Sequence, residues 1–138
     1  MFERILVPLD LTGSHGSVLD VAARLAREGA GKLTLVHVVR IIPGLLVEDE
    51  RAFYASLDRK TRAHLSGLAS EVASHGVTCT VEVRYGDPAR EIVRLCDEIR
   101  ADLVVLASHR VDGPGSAGWG TLSYKIGVLS PCPVLLVK

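Results

Sequence analysis

Short apolar runs alternate along this chain with stretches whose apolar residues recur at helical spacing. Runs at 4–9, 32–39, 78–84, 102–107 and 133–137 predict five strands. Between the first two, Val18, Val21, Ala22, Leu25 and Ala26 mark one face of a helix, with Gly29 and Gly31 as stop signals. Phe53, Leu57, Leu65, Leu68 and Val72 predict a second, longer helix ending at Gly76. Ile92, Leu95, Cys96 and Ile99 predict a third, and its start is well marked. Gly86 ends the strand, Asp87 can accept from the first free N–H groups, and Pro88 fits the first helical position. Leu122, Ile126 and Leu129 predict a fourth.

Strict alternation of strand and helix implies a doubly wound α/β fold, a parallel sheet with helices on both faces. Ile5-Leu-Val7 and Leu103-Val-Val-Leu106 are apolar on both faces, so these strands are central. Thr78-Cys-Thr-Val-Glu-Val-Arg84 alternates polar and apolar, which suits a half-exposed edge. Val134-Leu-Leu-Val137 carries no charge until Lys138. An apolar strand at an edge invites pairing with another chain. The stretch Arg40–Asp49, interrupted by Pro43-Gly44, reads as a loop over the sheet's C-terminal rim.

Composition narrows the function classes. The chain has 138 residues, 48% of them hydrophobic, which fits one domain over 1–138 with a real core. Sixteen basic residues balance sixteen acidic ones, so nothing points to nucleic acid or to a membrane surface. The N-terminus has no basic region or cleavage site and does not read as a secretory signal. Cys79, Cys96 and Cys132 are widely spaced among apolar neighbours and read as reduced core thiols. His15, His37, His64 and His75 show no metal-ligand spacing, and His37 is expected to pack near the end of the second strand.

The loop between the fourth strand and fourth helix draws most attention, because anions bind where such loops enter helices. The block Ala107-Ser-His-Arg110, then Gly120-Thr121, then Ser130-Pro-Cys-Pro-Val-Leu135 resembles the C-terminal signature of the universal stress protein family. That signature runs glycine, two residues, glycine, nine residues, glycine, then serine or threonine. Ile5-Leu-Val-Pro-Leu-Asp10, Gly86-Asp-Pro-Ala-Arg-Glu-Ile92 and Ala101-Asp-Leu-Val-Val-Leu106 fit the same family, so the resemblance covers the whole chain. It implies strand order 3-2-1-4-5, an adenine-nucleotide α-hydrolase-like fold, and a small cytoplasmic regulatory dimer paired through 133–137. It implies no dedicated catalytic activity, at most slow ATP hydrolysis, and an unidentified protein partner. The ligand it implies is ATP with Mg.

The site residues carried over by the resemblance are Pro8, Asp10, Val38, Ala107, Ser108, Arg110, Gly120 and Thr121. Asp10 can accept from ribose hydroxyls, or cap the following segment. Val38 would offer backbone contacts to adenine, or be a plain strand residue. Gly120-Thr121 would hold phosphates, or only start a helix; Thr12 and Ser14 read as caps. Ala107 and Arg110 stand where the signature has glycines. Arg110 either fills the phosphate pocket, leaving ATP binding weak or absent, or grips phosphate as a bidentate donor. Ala107 is a mild change only if its φ is negative. Ser108 and His109 are adjacent and expected to point apart, so they do not read as nucleophile and base.

Two other classes fit less well. Leu11-Thr-Gly-Ser14 is faintly similar to a flavin phosphate loop, which would suit a flavodoxin-like redox carrier, but the chain lacks aromatics placed to sandwich a flavin. A hydrolase using Asp10 as nucleophile would want a second Asp where Thr12 stands. Gly113-Pro-Gly-Ser-Ala-Gly118 matches a dinucleotide fingerprint only literally, since it follows the fourth strand and has no acidic partner downstream.

Overall fold

The computed structural model describes residues 1–11, 15–41, 47–107 and 122–138, and for 47–49 the backbone only. Five strands alternate with four helices: β1 (Arg4–Pro8), α1 (Gly16–Glu28), β2 (Lys32–Val39), α2 (Val47–Ala73), β3 (Thr78–Tyr85), α3 (Pro88–Ile99), β4 (Leu103–Ala107), α4 (Leu122–Leu129) and β5 (Val134–Val137). All strand pairs are parallel, in the order β3-β2-β1-β4-β5. This is the order expected above, and it departs from the flavodoxin order 2-1-3-4-5.

The period of two along each strand sends alternate residues to two cores. Ile5, Val7, Leu33, Leu35, Leu103 and Val105 face α1 and α2. Leu6, Val36, Val104 and Leu106 face α3 and α4, where Ile92, Leu95, Cys96 and Ile126 meet them. Each fully buried leucine or isoleucine contributes about 1.5–3 kcal/mol of transfer free energy. In both predicted central strands the apolar runs are buried, while Arg4 and Ala107 at their outer ends are exposed.

The two sheet edges differ. On β3 the side chains alternate. Val81 and Val83 pack under α2, while Arg84 makes a two-pronged ion pair with Glu98 of α3, at 3.2 and 2.5 Å. That pair holds the Glu98 carboxyl below its usual range. Tyr85 closes the α2 side by donating its hydroxyl to Asp58, which also accepts from Arg62. Burial, then the Asp58 carboxylate, push the Tyr85 phenol up to about 12. On β5, Leu135 and Leu136 point to opposite faces and both are exposed, at 37% and 43%. Tyr124, Val128 and Leu129 of the adjoining α4 are exposed as well.

Helix α2 starts at Val47, inside the stretch that reads as loop through Asp49. Its first turn carries Glu48, Asp49 and Glu50, so no apolar repeat announces it. Strand β1 ends one residue early, and β5 begins at Val134 because Pro133 has no N–H to give. At the start of α3, Asp87 accepts from the Arg90 N–H at 3.0 Å, with Pro88 in the first turn, as the sequence predicts.

A carboxylate pins the bottom of the sheet. Asp102 Oδ2 and Oδ1 accept from the N–H groups of Glu3 and Arg4, at 2.8 and 3.1 Å, and its own N–H donates to the Arg4 carbonyl. The side chain thereby joins the start of β1 to the entry of β4. Asp102→Ala should lower unfolding free energy by about 1–2 kcal/mol, since hydrogen bonds to a charged group are partly screened near solvent. A urea midpoint that does not move would show that the backbone bond alone secures the junction.

Candidate functional site

The site forms where β1 stops and its neighbours continue. Pro8 pairs with Val36, the Leu9 N–H donates to the Val36 carbonyl at 2.8 Å, and there the β1–β2 ladder ends. β2 runs on to Val39, still paired with β3 as far as Tyr85. On the other flank, β4 runs on to Ala107, paired with β5. The gap left between β2 and β4 is the topological switch point, since successive crossovers lead from β1 to opposite sides.

Peptide groups along a strand face its two neighbours in turn. The Lys32 N–H donates to Glu3 and the Val36 carbonyl accepts from Leu9, so even-numbered residues of β2 face β1. The Val39 carbonyl accepts from Gly86 on the β3 side. The N–H and C=O of Val38 therefore point towards the space that β1 has left. They open onto a cleft of about 780 Å³, a size that suits a small organic ligand.

The floor of this cleft is apolar, from Leu9, Val36 and Leu106, and its walls come from all four helices. Phe53 and Leu57 of α2 stand on one side, Pro88 and Ile92 of α3 on the other. A planar apolar group fits between such walls. Polar groups gather towards the β1 end: Asp10, His15 and His37. His37 Nδ1 lies 2.7 Å from the Leu9 carbonyl. A carbonyl only accepts, so His37 Nδ1 is the donor. The His15 ring meets His64 edge-on at 6.0 Å, and His15 Nε2 is buried with no hydrogen-bond partner among the described residues.

Two backbone details shape the rim. Leu11, just after Asp10, has φ +64°, a left-handed conformation that costs a non-glycine residue about 1–2 kcal/mol. Ala107 is extended, and its φ is not positive. A methyl group in place of glycine is therefore unstrained at that position.

Of the residues singled out in the sequence, Pro8, Asp10, Val38 and Ala107 come together around the cleft. Ser108, His109, Arg110, Gly120 and Thr121 lie outside the described residues, as do Thr12, Ser14 and the glycines at 113, 115 and 118. His15, His37, Phe53 and Pro88 were not expected there. Their shared signal is position, since His37 and Pro88 lie at or just beyond the C-terminal ends of strands. Among the described residues, no three His, Cys, Asp or Glu side chains group to hold a metal ion, and no helix is long and apolar enough to cross a membrane.

Comparison with known proteins agrees with the fold. The chain is 28% identical to the universal stress protein YxiE of Bacillus subtilis, with both chains fully covered. It is 30% identical to a universal stress protein of Thermus aquaticus, the one in the QAH/OAS sulfhydrylase 3′ region, again with full coverage of both. Among solved structures, the universal stress protein UspA from Lactobacillus plantarum superposes with a TM-score of 0.82 at 20% identity, over 99% of this chain and 98% of that one. A universal stress protein from Archaeoglobus fulgidus, solved in complex with dAMP, gives 0.74 at 20% identity over 99% and 98%. Another, solved in complex with cAMP, gives 0.75 at 19% identity over 99% and 97%. The model of the universal stress protein family matches residues 1–138, and the chain belongs to that family.

Proposed function

We propose that this chain is a one-domain cytoplasmic regulatory protein that takes an adenine nucleotide in the β1–β4 cleft and acts as a homodimer through β5. It is a binding protein rather than a dedicated enzyme, with at most slow ATP hydrolysis. The observation that carries the reading is the Val38 peptide, whose donor and acceptor open into an apolar slot at the switch point. One N–H and one C=O side by side match the hydrogen-bonding edge of adenine. Asp10, at the end of β1, is the acceptor for the ribose hydroxyls. Related folds solved with dAMP and cAMP support the same ligand class.

The phosphate end is the weaker half. Pro8 and Ala107 line the cleft, and the family signature assigns Ser108, Gly120 and Thr121 to phosphate, with Mg accompanying ATP. Ala107 does no harm there, being extended. Arg110 replaces a glycine that would let the backbone approach, and it weakens the grip.

Calorimetry with AMP and ATP tests this. AMP should bind measurably, and ATP no more than a few-fold more tightly, because the added phosphates gain little. No binding of either would remove the cleft from consideration as a nucleotide site. The paired change Ala107→Gly with Arg110→Gly should raise ATP affinity. Tight ATP binding abolished by Arg110→Gly would instead make Arg110 a bidentate phosphate ligand.

A further inference from the structure

Two thiols meet on the α3 side of the sheet. Cys96 is on the buried side of α3, 1% exposed, in the cluster with Leu6, Ile92 and Val104. Cys132 lies in the turn into β5, half-buried, and packs against the same cluster. Cys132 is near enough to raise the Cys96 thiol electrostatically. The Ser130 hydroxyl lies 3.5 Å from Cys132 Sγ. Ser130 in turn fixes the loop, donating to the Cys132 carbonyl at 3.0 Å and accepting from the Cys132 N–H at 3.3 Å. Cys79, on β3, packs against the opposite core.

We propose that Cys96 and Cys132 are a modification site, closing to a reversible intrachain disulfide when the protein meets a hydroperoxide. Two thiols packed in one cluster on neighbouring elements can close to a disulfide once their sulfurs approach. The order of events follows from exposure. Cys132 is the accessible thiol, and it attacks the peroxide oxygen. This gives a Cys132 sulfenic acid and releases the alcohol or water of the reduced hydroperoxide. Cys96 sulfur then attacks Cys132 sulfur; the S–OH bond breaks, and the hydroxide leaves as water with the Cys96 proton. Burial first, then the neighbouring Cys132, push the Cys96 thiol up to about 12, so it stays protonated and is not the first to react. Ser130 is a positioning residue that fixes the turn carrying Cys132. The bond would staple the middle of α3 to the turn that launches β5, so the thiol state reaches the exposed edge strand. A dithiol reductant reverses it.

The test counts thiols on the full chain, denatured after a brief pulse of hydrogen peroxide. Three free cysteines are present beforehand. Two should be lost together, leaving Cys79, and peptide mass mapping should join the Cys96 peptide to the Cys132 peptide with the loss of two hydrogens. Dithiothreitol should restore all three. Cys96→Ser should divert Cys132 to the sulfinic acid, which dithiothreitol does not reverse. The proposal is overturned if Cys132 over-oxidises in the unaltered chain while Cys96 stays free. It is equally overturned if Cys132 is joined instead to Cys79 or to a second copy's Cys132.

Discussion

Leu135→Lys should turn the proposed dimer into a monomer with the same secondary structure. Leu135 and Leu136 are the outward-facing apolar residues of a strand paired on one side only. Pairing two β5 strands about a two-fold axis covers the leucines of both copies. Leu135 is 37% exposed, so pairing gains only about a third of the ~1.5–3 kcal/mol of a fully buried leucine, and losing it from both copies removes about 1–2 kcal/mol. Two ammonium groups brought together at the seam add a desolvation and repulsion cost. A total of about 3 kcal/mol is roughly a hundredfold in Kd. The monomer's own fold should not suffer, because the position is already partly in solvent. Sedimentation velocity over a dilution series, with circular dichroism as the control, reads the result. A variant that stays dimeric at the same concentrations places the interface elsewhere.

The second large effect is on ligand binding. Val38→Pro should remove about five- to tenfold of AMP affinity, the equivalent of one lost hydrogen bond of about 1–1.5 kcal/mol. Proline deletes the N–H that faces the cleft. The ladder to β3 is carried by the peptide groups of His37 and Val39, so it survives. Val38→Ala is the complementary change. It keeps the N–H but gives up a side chain that is 8% exposed, so it should cost stability and spare binding. AMP binding by Val38→Pro at unaltered strength would mean that the base is held by some other group.

How far the sequence alone reached can be seen at particular residues. Strands β1 and β4 were legible because continuous apolar runs have few other uses in a chain of this length. The α3 start was legible because Gly86, Asp87 and Pro88 each have a distinct backbone preference. The start of α2 was not, because the residues that open it are charged and leave no periodic apolar trace. The cleft was legible only in part. Asp10, Val38 and Ala107 lie directly on strand ends, where topology alone locates them. His15, His37 and Phe53 reach it by side-chain direction and helix packing, which spacing along the chain does not encode. The same holds for Cys96 and Cys132, whose contact depends on how α3 lies against the turn into β5.

The contrast between the two sheet margins sets how large an assembly can grow. Along β3 the outer rim alternates threonines with charged residues, and Arg84 is already engaged with Glu98. Such a rim resists strand addition. The exposed apolar strand β5 is at the other end of the sheet. A subunit with a valency of one satisfies itself in a single self-complementary meeting and has nothing left to offer a third copy. Were both margins as apolar as β5, head-to-tail stacking would have no natural end, and the same fold would tend towards fibres. In the proposed dimer, the polar character of β3 would act as a terminator for the growth that β5 begins.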